Sequence, residues 1–270
     1  MTGALARIAD GLATGRLIPY LGPETLLLGG TLSIPASSRA LAELLSAKHT
    51  VPARARGNMW ASAQFIETRR HRQTLSKLMA DIFAPPTPPN PLHAWLAGLA
   101  LPLIVDAWYD DAMAAALSGS WGQIQAVTRN GKHEDIWYRP LRPDGATATA
   151  EEADSWTTIL YKPHGAVKPN GEFLLSDSDY VEVLTEIDIQ TPIPPLVQAR
   201  RKSRGFVFLG CRFRDQMERT FARQIMKRSA GPHFAVLAGE TTRNEQRFLE
   251  EMAIERIDLP LGEAVSQLTR

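Results

Sequence analysis

The sequence predicts an α/β protein, a doubly wound and mostly parallel sheet of about six strands with helices on both faces. Three observations carry this expectation. Short apolar runs recur at Leu17–Leu21, Leu101–Val105 and Phe206–Leu209, and runs of that length fit buried strands. Between them lie stretches with apolar residues at helical spacing, beginning with Ala4, Leu5, Ile8, Ala9 and Leu12. Strands that alternate with helices pack as a parallel sheet covered on both sides.

The elements run in order along the chain. The first helix stops at Gly15, and Leu17–Leu21 is the first strand. Ser37–Ala47 and Asn58–Phe83 carry helical periodicity with few breakers, and the proline-rich stretch Ala84–Pro91 links them to the next helix. Together they predict a helical subdomain over 36–90. Asn90 followed by Pro91 is an N-cap and first-turn pair that opens a helix through about Leu99. Leu101–Val105 is the second strand, and Asp110 and Asp111 favour a helix start after it through the helix dipole. From Ser118 to Ser155 the periodicity fades into Gly, Asn, Asp and Thr, which predicts an irregular insertion over 118–155 with a few short strands. Trp121, Trp137 and Trp156 punctuate it. Tryptophans there either present a surface to a protein partner or pack the insertion down.

Thr157–Tyr161 and Phe173–Leu175 read as strands, and Ser176–Ser178 caps a helix through about Ile187. Pro194 and Pro195 open another helix. Phe206–Leu209 is the clearest buried strand, Asp215 starts an arginine-rich helix, and Phe234–Leu237 is a further strand. Thr242 with Glu245 forms a capping box for a helix ending near Met252, and Ile254–Leu259 closes the series.

Composition bounds the function. A chain of 270 residues with 44% hydrophobic and 22% charged residues is an ordinary globular protein, read here as a single domain over 1–270. Its one cysteine, Cys211, excludes an internal disulfide and an all-cysteine zinc site. His71, His93, His133 and His233 offer no ligand spacing, so no metal is expected. Arg7 and Asp10 interrupt the first apolar segment, which leaves no membrane span or signal peptide and makes a soluble, cytoplasmic protein the expectation. The net charge of +1 gives no global pull toward nucleic acid. Ten basic residues between Gln198 and Arg228 oppose only Asp215 and Glu218. Such a patch either meets phosphates or an acidic partner, or is a helix face neutralised by its neighbours, and the second reading carries more weight. Without interleaved aromatics or a groove-reading motif, nucleic acid is a minor option. The hydrophobic helices allow a homo-oligomer without requiring one.

Four segments sit at predicted strand ends, where open parallel sheets bind ligands. They are Gly22-Pro23-Glu24-Thr25, Asp106-Ala107-Trp108-Tyr109-Asp110, Lys162-Pro163-His164-Gly165 and Gly210-Cys211-Arg212-Phe213. In order and spacing they resemble the sirtuin-like family, in its bacterial branch without the zinc module. That family reads Gly-Ala-Gly-x-Ser where this chain has Gly22 to Leu26, and Gly-Ile-Pro where it has Ser33-Ile34-Pro35. It reads Thr-Thr-Asn-Tyr-Asp at Asp106 to Asp110. Its His-Gly motif is intact as His164-Gly165, Ser176 to Tyr180 is similar to its acidic Asp-Tyr segment, and Phe208-Leu209-Gly210 with Asp215 resembles its late strand and turn. The resemblance covers most of the chain outside the insertion. It implies a Rossmann-like fold with NAD or ADP-ribose as ligand, held by Gly22, Glu24, Thr25, Pro35, Trp108, Gly165, Gly210 and Cys211. It implies His164 as general base on ribose hydroxyls, with Asp110 in support.

Two departures bear on activity. Glu24 replaces the family's second glycine, bringing a side chain and a negative charge to a place meant for pyrophosphate. Two like charges 4 Å apart repel by about 4 kcal/mol at an effective dielectric near 20. A carboxylate there also serves either as a built-in stand-in for phosphate or as an ordinary N-terminal helix residue. Trp108 replaces the catalytic asparagine, and an indole donates but cannot accept from a water or hydroxyl. Cys211 lies near Arg212 and Arg214, which would lower its pKa, although a small buried residue at a tight turn is the favoured reading. The expectation is therefore a sirtuin-like module with a remodelled NAD pocket, non-catalytic and binding a nucleotide or a protein. The alternative is an NAD-cleaving enzyme, a glycohydrolase or deacylase, with His164 as base.

Overall fold

The computed structural model describes residues 3–30, 32–128, 136–186 and 193–270. The predicted helix end at Ile187, and His133, lie outside the described residues. In chain order the elements are α1 (Gly3–Ala13), β1 (Leu17–Leu21), a 3-10 helix (Pro23–Gly29), α2 (Ser38–Lys48), α3 (Met59–Ile82), α4 (Pro91–Gly98) and β2 (Leu103–Asp106). Next come α5 (Ala112–Ala116), β3 (Trp121–Ala126), β4 (Tyr138–Leu141), α6 (Ala150–Asp154), β5 (Thr158–Lys162), β6 (Gly165–Ala166), β7 (Glu172–Phe173) and α7 (Asp177–Glu186). The chain ends with α8 (Pro195–Arg201), β8 (Gly205–Leu209), α9 (Gln216–Met226), β9 (His233–Val236), α10 (Arg243–Glu251), β10 (Ile254–Ile257) and α11 (Leu261–Leu268).

One eight-stranded sheet runs β10-β9-β8-β1-β2-β5-β3-β4. Every neighbouring pair is parallel except β3 with β4. Alternation along the strands sends side chains to two cores. Leu17, Ile104, Leu160 and Val207 join Leu5, Leu12, Leu92 and Val265 on the face covered by α1, α4 and α11. Ile18, Val105, Ile159 and Phe206 join Val197, Ile225 and Phe248 on the face covered by α8, α9 and α10. Side chains of this size contribute about 1.5–3 kcal/mol each when fully buried. A third core gathers Leu41, Leu45, Ile66, Leu75 and Met79 of α2 and α3 around Trp108, Tyr109 and Tyr180. The long helix α3 breaks at His71, with φ 68° and ψ 157°, and the next residue, Arg72, reaches Asp179 at 2.7 Å. Among the described residues no helix is long and apolar enough to cross a membrane.

The insertion is built into the sheet. Sequence reading sets 118–155 apart, yet β3 lies between β5 and β4, and all six of its residues are buried. Its polar spelling, Trp-Gly-Gln-Ile-Gln-Ala, hides a strand because the glutamines are satisfied inside. Gln123 donates to Gln125, and Gln125 donates to Ala166 O and Asn170 Oδ1 at 3.0 Å and also to Glu172 O. Buried amides with partners cost little. Trp121 and Trp156 belong to the two sheet cores, so at least these two pack the segment down. The parallel strands thus exceed the expected number. Phe173, read as a strand of the main series, sits instead in a separate hairpin of β6 with β7.

Half of the basic segment is turned inward, while Lys202, Arg214, Arg223, Lys227 and Arg228 are exposed. Arg201 is buried and donates to the carbonyls of Gln224 and Ile225 at the end of α9. Arg200 donates to Trp156 O, Arg204 to Gly15 O, Arg212 to Ala238 O and Glu240 O, and Arg219 to Phe213 O. These guanidinium groups close strand and helix ends that would otherwise leave carbonyls bare.

Strands β2 and β5 end on a buried ion pair. Lys162 Nζ meets Asp106 Oδ2 at 2.8 Å and donates to Asp110 O at 2.9 Å, with the two side chains 1% and 7% exposed. Removing one partner of such a pair leaves an uncompensated buried charge, at a cost of about 3–5 kcal/mol. Lys162→Met is therefore expected to lose stability of that order in denaturant melts. Lys162→Met with Asp106→Leu should recover most of it, and a double variant as unstable as the single one would contradict the pairing.

Candidate functional site

The strand order reverses at β1, whose neighbours are β2 and β8. Such a switch point leaves a crevice beyond the carboxyl ends of the strands, where open α/β sheets place their ligands. The three predicted segments that follow β1, β2 and β8 meet there, and His164 of the fourth joins them on the cavity wall. Gly22 N donates to Leu209 O at 2.9 Å and Glu24 N to Gly210 O at 3.1 Å, which binds the β1 and β8 turns together. A Cβ on Gly22 would stand 2.3 Å from Gly210 O, and Gly210 itself has φ +67° with Thr25 N in the way of any side chain. Only glycine fits at either position. The turn after β2 follows the same edge, with Ala107 N donating to Leu21 O and Trp108 N to Asp106 Oδ1.

A cavity of about 50 Å³ opens between these turns and the helical layer. Gly22, Trp108, His164 and Cys211 line it, together with Tyr20, Met59, Trp60, Arg212, Phe213 and Glu218. Four of the sequence-predicted residues therefore share one site. The others stand behind it. Thr25 is buried with its hydroxyl donating to Gly22 O at 2.7 Å, and its carbonyl takes the Asn90 amide that caps α4. Glu24 is half-buried, and desolvation raises its pKa against the opposing pull of Arg212 and Arg214. Gly165, at φ +72°, lets β6 pass close to Glu172 and Phe173. Asp110 accepts from Ala112 N through Oδ1 and from Lys162 through its carbonyl, so it serves the turn and does not line the cavity.

Trp108 lines this crevice and belongs to the core of the helical layer. Its indole is 3% exposed, donates through Nε1 to Pro35 O at 2.8 Å, and packs on Tyr109 and Phe83 with centroids 5.1 and 6.2 Å away. Pro35, a predicted ligand residue, is thus the anchor of the ring. The ring is fixed, not incidental.

His164 is held neutral. Desolvation first, and the nearby Lys162 charge second, push its pKa down to about 3. Its Nδ1 lies 3.0 Å from the Tyr180 hydroxyl, and its ring packs on Phe221. The Tyr180 hydroxyl also donates to Leu174 O at 3.3 Å, the carbonyl that takes the Tyr109 hydroxyl at 2.8 Å. Cys211 is a buried thiol donating weakly to Tyr20 O at 3.5 Å, and burial with Glu218 and Glu24 nearby pushes its pKa up. The two arginines do not activate it, because Arg212 pairs with Glu245 at 3.2 Å and bonds carbonyls.

Sequence reading missed Lys162, Trp60 and Glu218. Lys162 and Asp106 each end an apolar run, which is a legible signal for a paired charge. Glu218 follows Asp215 at capping-box spacing, and the box is present, but only the fold aims its carboxyl at the cavity. Desolvation, with Asp215 adding to it, raises Glu218 to about 8. Among the described residues no cluster of three or more metal-ligating side chains is placed to hold an ion.

The Glu218 shift has a measurable sign. Its folded pKa stands near 8 against an ordinary 4.5, so its contribution to stability is full below about 4.5 and is lost as pH rises through about 8. Melting temperatures of the wild type should fall relative to Glu218→Gln across that window, and parallel curves would rule out the desolvated carboxyl.

A family model described as a SIR2-like domain matches residues 102–257. The match runs from just before β2 to the end of β10 and leaves out β1 with its Gly22–Thr25 turn. No curated protein matches the chain significantly. With more than half of its length matched, and a mostly parallel sheet whose switch point gathers the expected turns, the chain belongs to the SIR2-like domain family.

Proposed function

We propose that this protein is a SIR2-like module whose dinucleotide pocket has been rebuilt into a smaller cavity, and that it binds and regulates rather than cleaves. The observation that carries this is Trp108, locked to Pro35 and packed on Phe83 and Tyr109 where the family resemblance implies an asparagine. The remaining cavity of about 50 Å³ compares with roughly 300–1,000 Å³ for ordinary ligand sites. NAD does not fit the residues as they stand, since the cavity beside the indole is small and Glu24 puts a carboxyl in the turn. The Glu24 carboxyl lies in the field of Arg212 and Arg214, which supports its reading as a substitute for phosphate. An enzyme cleaving NAD through His164, with Asp110 in support, is the competing reading, favoured by the place of His164 on the cavity wall.

Calorimetric titration with NAD and ADP-ribose, together with an assay of nicotinamide release, separates the two. The wild type should release no nicotinamide. Trp108→Asn with Glu24→Gly should gain NAD affinity by at least about tenfold, since each tenfold is only about 1.4 kcal/mol, provided its melt remains cooperative. Release by the wild type that His164→Ala abolishes would overturn the proposal.

A further inference from the structure

The helical layer carries positive charge that the strand-end cavity does not use. Between Lys48 and Lys77 the chain has seven lysines and arginines and one acid, Glu67. Arg72 is paired, with Glu67 and with Asp179. The other six, Lys48, Arg54, Arg56, Arg69, Arg70 and Lys77, are exposed, and none is in an ion pair with a described residue. Elsewhere on the surface arginines meet acids, as Arg7 does Glu255, Arg39 Glu43 and Arg247 Glu251. Like charges left without acids repel one another, so a surface keeps them at a cost in stability.

Two of these cations line one groove. A short 3-10 turn (Ala53–Ala55) and the outer face of α3 enclose a space of about 460 Å³, with Arg54 contributed by the turn and Arg69 by the helix. Arg56 and Arg70 lie within two residues of them along the chain. Phe65, one helical turn before Arg69, is partly buried in the same groove, and the Arg69 guanidinium stands 6.0 Å from its ring. Gln64 donates to Thr68 at 3.2 Å and accepts from Ser178 N at 2.7 Å, which ties this face of α3 to the start of α7. Among the described lining residues Asp177 is the one acid.

We propose that this groove on the outer face of α3 binds a single strand of nucleic acid, with Arg54, Arg56, Arg69 and Arg70 against its phosphates and Phe65 beneath a base. The groove shares no lining residue with the strand-end cavity, so the proposal stands apart from the reading of that cavity. Guanidinium groups free of acids offer forked donors and a permanent charge, which is what phosphate oxygens take. An acidic protein segment matches the charge but brings no flat face to Phe65, whereas unpaired strands lay their bases on aromatic rings set among cations. A duplex is read by an element that protrudes into its groove, and here the aromatic ring lies in a recess. The groove volume falls within the roughly 300–1,000 Å³ of ordinary ligand sites, enough for a nucleotide to enter.

Fluorescence anisotropy of the full chain with a labelled oligothymidylate of about 20 nucleotides tests this. With four phosphate contacts the affinity should fall about fifty-fold between about 50 and 200 mM salt, since each contact adds about −0.7 to the salt slope of a single strand. Arg54→Ala with Arg69→Ala, both at exposed positions, should halve that slope while melting as cooperatively as the wild type. Phe65→Leu keeps an apolar side chain against the helical core and should weaken binding by at least about fivefold with the slope unchanged. Lys202→Ala with Lys227→Ala, from the other basic segment, should leave the affinity within about twofold. No binding at about 50 mM salt would overturn the proposal, as would a slope that survives in the Arg54 and Arg69 double variant. Phe65→Leu binding as the wild type does, or polyglutamate competing as well as the unlabelled strand, would overturn it in favour of a face for acidic proteins. A duplex of equal length that binds more tightly than the single strand would overturn it as well.

Discussion

The site depends on a lysine with nowhere else to go. Lys162 ends β5 in the interior, and its ammonium is satisfied by Asp106 at the end of β2 and by the carbonyl of Asp110. Asp106 in turn accepts from Trp108 N. One cation thus fixes the two ends of the turn that carries Trp108. Desolvation raises the Asp106 carboxyl to about 6 and Lys162 works against that rise, and the same ammonium helps to keep His164 neutral. A buried pair of this kind adds little net stability. Here it holds the turn that carries the indole and adds to the desolvation that keeps the imidazole neutral.

Much of the fold is legible in the sequence because apolar runs and capping signals are local. Asn90 caps α4 with the predicted geometry, and Thr242 with Glu245 forms its reciprocal box. The strand ends carrying Gly22, Trp108 and Gly210 lie where alternating strands and helices place them. The illegible parts depend on distant partners. Strand β3 spells out glutamines that become apolar in effect only once a hairpin, remote in sequence, supplies their partners. The arginines between Arg200 and Arg219 read as a charged patch, and they spend much of their hydrogen-bonding capacity on carbonyls that sequence cannot locate.

The candidate site is legible in part for the same reason. Gly22, Trp108, His164 and Cys211 follow strands, and strand ends are predictable. Pro35 reads as a ligand residue by resemblance, but its observed use is as an anchor for Trp108. Trp60 and Glu218 come from α3 and α9, whose approach to the crevice depends on tertiary packing. Neither carries a motif that marks it as cavity-lining.

Strand β3 also governs how the molecule can be cut. The segment between α5 and β5 covers the edge of β5 with β3, and β4 completes the sheet beyond it. Past β4, the outer side is closed in turn, with Ala148 N donating to Pro140 O and Leu141 bridged to Thr147. A chain shortened across this region would not lose an ornament. It would bare the backbone of β5 as an open edge next to a buried lysine, and open edges pair with copies of themselves. The polar, glutamine-bearing strand is the guard that keeps this sheet from growing into its neighbours.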